Sequence, residues 1–69
     1  MVSDDPVVGK LARVTHPIAP GRVGEVVVHI RGGTEVYMAV ADEELQTNDE
    51  VLVVGQKSAR TVEVTAFLG

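Results

Sequence analysis

The residues that could hold a metal ion are two histidines and a short acidic run. His16 stands beside a proline turn, and His29 lies on the polar face of a predicted strand. A zinc site needs three or four ligands, but the chain has no cysteine and no His-x-x-x-His spacing. The run Asp42-Glu43-Glu44 lacks the alternating ligands and central glycine of a calcium loop. We therefore interpret both histidines as surface residues and the acidic run as a solvated turn, and we predict no metal site.

The sequence also lacks groups of residues that are typical of a catalytic site. Paired carboxylates do acid–base work when burial separates their pKa values, whereas the acids here lie in turns or on polar faces of predicted strands. Ser3 and Ser58 fall in lead-in and turn segments with no histidine placed beside them. The run Gly21-Arg22-Val23-Gly24 lacks the Lys-Ser/Thr of a phosphate loop and precedes a strand rather than a helix. The sequence predicts no catalytic residue, no cofactor and no enzyme.

Composition limits the kinds of partner. The chain has 69 residues, no cysteine and a net charge of −4, with ten acidic against six basic side chains. An acidic balance disfavours nucleic acid or an anionic membrane surface. No apolar run approaches the ~20 residues of a membrane span, and Met1–Pro6 lacks the apolar region of a signal peptide. We expect a cytoplasmic chain with residues 1–6 as a disordered lead-in and residues 7–69 as one domain.

Short β-type runs separated by turn signals organise the whole chain. Valine-rich, alternating segments predict strands, and five are present: Val7–Thr15, Val23–Arg31, Glu35–Ala41, Glu50–Gly55 and Thr61–Phe67. Gly32-Gly33 supplies the positive φ angles of a tight hairpin turn, while Asp42–Leu45 is long enough for one helical turn at most. Five strands in so short a chain predict an all-β fold, a small five-stranded closed barrel, because an open sheet would leave long apolar edges unpaired.

The alternation also predicts which side chains fill the barrel. In the third strand both faces look partly buried, with Tyr37, Ala39 and Ala41 on one side. Outward apolar residues such as Val27 have no interior to fill and are candidates for a protein contact, including self-association. The predicted interior consists of six valines, namely Val26, Val28, Val51, Val53, Val62 and Val64.

A nucleic-acid-binding barrel is the alternative that the residues leave open, because five-stranded barrels often bind single strands. Arg13, His29 and Arg31 could form one modest basic patch. Against this interpretation, the cations are spread along the chain, and Tyr37 and Phe67 are the only rings available for base stacking. We therefore expect no nucleic-acid binding.

The order of glycines, prolines and apolar residues resembles the soluble C-terminal domain of the NfeD-like family. The resemblance lies in residues 8–14 and 18–28, then in Gly33, Tyr37-Met38-Ala39 and Ala41, and finally in residues 50–54 and 62–64. The chain departs from the family pattern where Asn48-Asp49 replaces a glycine before the fourth strand, and where Ala66 stands in place of a proline.

The resemblance implies an OB-fold barrel that is not an enzyme and acts as a protein–protein interaction domain. In the family this domain usually follows transmembrane helices and works beside stomatin- or flotillin-like membrane proteins. It would then be an excised or stand-alone soluble domain, located at the cytosolic face of a membrane if it belongs to a longer anchored protein. The run Gly21–Val26 also resembles the KOW motif of SH3-like domains that bind nucleic acid.

Overall fold

The computed structural model describes residues 7–68, which fold into five β-strands. The predicted lead-in, residues 1–6, lies outside the described residues. The strands are β1 (Leu11–His16), β2 (Gly24–Ile30), β3 (Gly33–Val40), β4 (Glu50–Ser58) and β5 (Thr61–Ala66). Within residues 7–68 there is no helix, and hence none long and apolar enough to cross a membrane.

Two strand boundaries differ from the prediction by three residues or more, and the others by two or fewer. The first strand begins at Leu11 rather than Val7, because Val7–Lys10 forms a turn in which Lys10 N donates to Val7 O at 3.0 Å. The fourth strand continues to Ser58 instead of ending at Gly55, so the predicted turn at residues 56–60 shrinks to Ala59–Arg60. Both segments do contain a turn, but backbone pairing with the neighbouring strands decides which residues form it.

The sheet closes on itself in the order β1-β2-β3-β5-β4, with β4 returning to pair with β1. All pairs are antiparallel except β3 with β5. This confirms the predicted five-stranded barrel, and the order is that of an OB-fold. Because successive strands reverse direction, the β1–β2 and β3–β4 loops share one end of the barrel, called here the loop end. The β2–β3 and β4–β5 hairpins share the opposite end, called the hairpin end.

Valine fills the interior as predicted. Each of the six valines assigned to the interior is at most 2% exposed. In β3, Tyr37 and Ala39 are buried, whereas Val36 and Met38 are 43% and 51% exposed. We predicted that both faces of this strand are partly buried, but on the outer face this is true only of Val40. The reason is that, among residues 7–68, no element packs over the outside of β2 and β3.

A pair of loop residues seals the loop end. Ile18 and Leu45, 1% and 2% exposed, exchange two backbone hydrogen bonds of 3.0 and 2.8 Å. This bridge requires extended backbone at Leu45, so the helical turn considered for residues 42–45 does not form. Asn48 adopts a φ of +82°, a left-handed conformation that asparagine tolerates better than most other residues.

Candidate interaction surface

The outer face of β2 and β3 carries a stripe of apolar side chains. Val27 pairs directly with Val36, and Met38 follows two residues further along the same face. Met38 pairs across the strands with Glu25 and Val27 with Arg13, so charged residues border the stripe. We call Val27, Val36 and Met38 the β2–β3 apolar stripe. In OB-folds the face formed by these two strands is the usual ligand-binding face.

A second apolar group lies on the outside of β1 and β4. Leu11 and Leu52 form a direct cross-strand pair, and Val54 is the next outward residue of β4. Leu11 and Val54 are 38% and 47% exposed, while Leu52 is half-buried. This β1–β4 apolar group is comparable in exposure to the stripe but lies on different strands, so it provides a matched control surface.

His16, a candidate ligand in the sequence, belongs to a structural contact at the loop end. Its Nδ1 lies 2.9 Å from Glu25 Oε1, and the same oxygen accepts a hydrogen bond from Thr15 Oγ1 at 2.8 Å. The strand pairing shifts at Thr15, which places these neighbouring side chains around one carboxylate. The His16 side chain is 70% exposed, as expected for a surface histidine. His29 is exposed on β2 opposite Thr34.

The acidic run serves to close the barrel. Glu43 Oε2 accepts hydrogen bonds from Thr65 Oγ1 and from Ala66 N, both at 3.0 Å. One carboxylate thereby ties the β3–β4 loop to the end of β5. Asp42 and Glu44 are exposed, and no group of three or more metal-ligating side chains occurs within residues 7–68.

The other motifs considered in the sequence, namely the glycine run, the serines and the basic patch, do not come together in a site within residues 7–68. In the Gly21–Gly24 run, Arg22 N donates to Ala19 O at 2.8 Å, so this amide serves a tight turn. Ser58 ends β4 opposite Thr61, and Ser3 lies outside the described residues. Arg13, a member of the proposed basic patch, lies opposite Glu50 in the β1–β4 register. Its guanidinium donates a hydrogen bond to Asn48 O at 3.4 Å.

Most acids of residues 7–68 lie near the loop end, and four of the six cations lie in or beside the hairpins, a distribution that sequence reasoning missed. The acids near the loop end are Asp42, Glu43, Glu44, Asp49 and Glu50, whereas Glu25 is level with the start of β5, because it pairs with Met38 and Met38 pairs with Thr61. The two hairpins and the residue just before β1 carry four of the six cations, Lys10, Arg31, Lys57 and Arg60, together with two acids, Glu35 on β3 and Glu63 on β5. The alternating direction of the predicted strands could have revealed this distribution of charge, because successive turns then lie at opposite ends of the barrel. The hairpin segments are thus more basic than the chain as a whole.

Comparison with known proteins identifies a family. The family model described as the NfeD C-terminal domain matches residues 11–65. Among solved structures, the chain is similar to the soluble domain of the NfeD protein YuaF from Bacillus subtilis, with 29% sequence identity and a TM-score of 0.77. That match covers 91% of this chain and 76% of the other. No curated protein sequence matches the chain.

Proposed function

Because the chain belongs to the NfeD C-terminal domain family, we propose that it is a non-catalytic interaction domain that binds a protein partner. The β2–β3 apolar stripe carries this proposal. Its two most exposed members, Val36 and Met38, lie side by side on the face that OB-folds use for ligands. Adjacent exposed apolar side chains rimmed by charges are typical of a protein-binding surface.

The proposed partner is a membrane-associated protein of the stomatin or flotillin type, met at the cytosolic face of a membrane. The family resemblance supports this choice. The outer face agrees with it, since an apolar stripe bordered by Glu25 and Arg13 suits a protein surface with both apolar and charged groups. A catalytic role has no support from the arrangement of His16 and Glu25, because both groups are engaged in a contact at the surface.

The experiment compares two matched double variants. Val27→Thr with Met38→Gln makes the β2–β3 apolar stripe polar at nearly constant volume, and Leu11→Gln with Val54→Thr does the same to the β1–β4 apolar group. Binding is measured by flotation with liposomes that carry a purified stomatin-like protein, with protein-free liposomes as the blank. We expect the stripe variant to bind at least about tenfold more weakly than wild type, because apolar anchors dominate such interfaces. The control variant should bind within about twofold of wild type.

Three results would contradict the proposal. Absence of wild-type binding to both stomatin-like and flotillin-like proteins would refute the partner class. Equal losses in the two double variants would refute the assignment of the surface. Equal binding to protein-free liposomes would indicate a lipid ligand instead of a protein. Circular dichroism of each variant confirms that the barrel remains folded.

A further inference from the structure

Half of β3 has a strand neighbour on one side only. β5 begins opposite Met38, and the parallel pairing continues only to Val40 opposite Glu63. The preceding residues, 33–36, pair with β2 on one side, and no strand of residues 7–68 covers their other side. We call this segment the free β3 edge. It lies at the hairpin end, beside the β4–β5 turn.

The hydrogen-bonding phase of β3 shows which backbone groups face outward from this edge. Met38 N donates to Arg60 O at 2.8 Å, so the backbone groups of Met38 point away from β2. In an antiparallel pair this direction alternates, and the groups of Val36 and Thr34 therefore point the same way. Val36 O accepts a hydrogen bond from Arg60 Nη2 at 3.3 Å, which agrees with that phase. Thr34 N–H, Thr34 C=O and Val36 N–H have no partner among residues 7–68.

Arg60 occupies part of this edge without filling it. Its guanidinium carbon lies 5.6 Å from the centre of the Tyr37 ring while the same group reaches Val36 O. A charged side chain over an open edge is a common protection against uncontrolled strand pairing. Pairing with a second copy is disfavoured further, because antiparallel pairing of Thr34 with Val36 would set Glu35 directly opposite Glu35 of the other copy.

The charges around the edge favour an acidic ligand. Arg31 precedes the edge by two residues, Arg60 donates to Val36 O, and Lys57 lies in the same hairpin as Arg60, whereas the acids nearest the edge are Glu35 within it and Glu63 on β5. Exposed rings for base stacking are absent there among the described residues, since Tyr37 is only 8% exposed and Phe67 follows β5 at the loop end. Free backbone donors and acceptors in strand phase are complementary to another backbone, so the chemistry favours a peptide over a nucleic acid.

We infer that the free β3 edge binds an extended acidic segment of a partner protein by strand addition. The segment bonds to the free groups of Thr34 and Val36, and its carboxylates lie near Arg31, Lys57 and Arg60. This inference rests on the proposed function, for which it names a second contact and the chemistry of the partner segment. Strand addition gives affinity through main-chain hydrogen bonds, while the surrounding charges select the sequence.

The test titrates the full ¹⁵N-labelled chain with a short peptide of alternating glutamate and threonine, blocked at both ends. We expect the amide signals of Thr34 and Val36 to shift most and their hydrogen exchange to slow. A peptide of alternating lysine and threonine, a version N-methylated at alternate residues, and a short oligothymidine are titrated in parallel. Each should bind at least about fivefold more weakly, the loss expected for one or two charge contacts or backbone hydrogen bonds.

Variants of one residue separate the backbone from the side chain. Val36→Pro removes an N–H that has no partner in the barrel, and edge strands tolerate proline. Val36→Thr keeps the N–H and serves as its control. We expect Val36→Pro to lose at least about fivefold in affinity for the acidic peptide and Val36→Thr to lose less than about twofold. Thr34→Pro provides a second backbone variant if Val36→Pro does not fold.

The outcomes keep this inference separate from the proposed function. Lack of binding, shifts confined to the loop end, or equal binding of the N-methylated peptide would overturn strand addition, even if the liposome experiment succeeds. Tighter binding of oligothymidine would overturn the choice of a peptide. Binding of the acidic peptide at Thr34 and Val36 supports the inference, and failure of the liposome experiment would then refute only the proposed partner class.

Discussion

Gly24→Ala should strongly destabilise the barrel, because another stretch of chain lies against this glycine. A Cβ atom at position 24 would overlap the backbone oxygens of His16 and Pro17 and the side chain of Ile18. The crossing segment cannot move freely, since Ile18 is buried and bonded twice to Leu45. Either the overlap remains as strain, or the segment lifts and exposes Ile18.

The cost can be estimated along both routes. Overpacking of a filled interior costs about 1–3 kcal/mol. Lifting the segment exposes Ile18, which forfeits about 1.5–3 kcal/mol of burial, and breaks two hydrogen bonds worth about 1 kcal/mol each. A loss of about 3 kcal/mol is large against the about 3–10 kcal/mol expected for 69 residues. It corresponds to a fall in melting temperature of about 20 °C.

Gly55→Ala is the matched control, because it also places a methyl group in a strand. The added Cβ would lie 3.4 Å from Glu63 Oε1, an ordinary contact with the end of a flexible side chain. The free energy of unfolding should therefore stay unchanged or rise by about 0.4–1 kcal/mol, because alanine lowers the conformational entropy of the unfolded chain. Urea and thermal unfolding followed by circular dichroism measure both variants. Melting temperatures for the two within a few degrees of each other would refute the argument from crowding at Gly24.

Three further predictions address the core, the closure of the barrel and the alternative ligand. Val53→Asp should unfold the domain at neutral pH, because it buries an unpaired carboxylate at a position that is 0% exposed; a folded proton spectrum would refute this. Glu43→Ala should cost about 1 kcal/mol by removing the acceptor for Thr65 Oγ1 and Ala66 N, whereas Glu44→Ala should be nearly neutral in the same urea titration. Equal effects would contradict this role of Glu43. Mixed-sequence single-stranded DNA and RNA should show no measurable binding at low ionic strength by fluorescence anisotropy, since the hairpin end has cations but lacks exposed rings among residues 7–68. A micromolar complex that weakens with salt would favour the nucleic-acid alternative.

The fold was predictable from the sequence because the valines alternate cleanly. Val26 and Val28, or Val51 and Val53, fix which face of each strand is inside, and a shift of one residue would expose them all. The ends of the strands were less predictable. Val7 and Gly55 lie where turn signals and strand pairing compete, and only the neighbouring strands decide between them.

The contacts at the surface depended on irregularities that alternation does not encode. The register shift at Thr15 brings His16 and Glu25 together, although an ideal ladder gives no reason to group them with the hydroxyl of Thr15. The crowding at Gly24 likewise depends on the path of the following loop through Ile18. The free β3 edge required the start of β5 opposite Met38, a register that no local pattern specifies.

The distribution of charge shows that net charge alone does not describe the surface that a partner would meet. In the sequence, Arg31 and Arg60 are separated by the acidic run at Asp42–Glu44, so the cations look dispersed. Five strands that alternate in direction send the acidic loop to one end and both hairpins to the other. The molecule extends 34 Å along its longest dimension, whereas electrostatic interactions are screened over about 8 Å at physiological ionic strength. A ligand at the hairpin end therefore experiences the local cations far more than the overall charge of −4, so an acidic chain can still attract an acidic segment there.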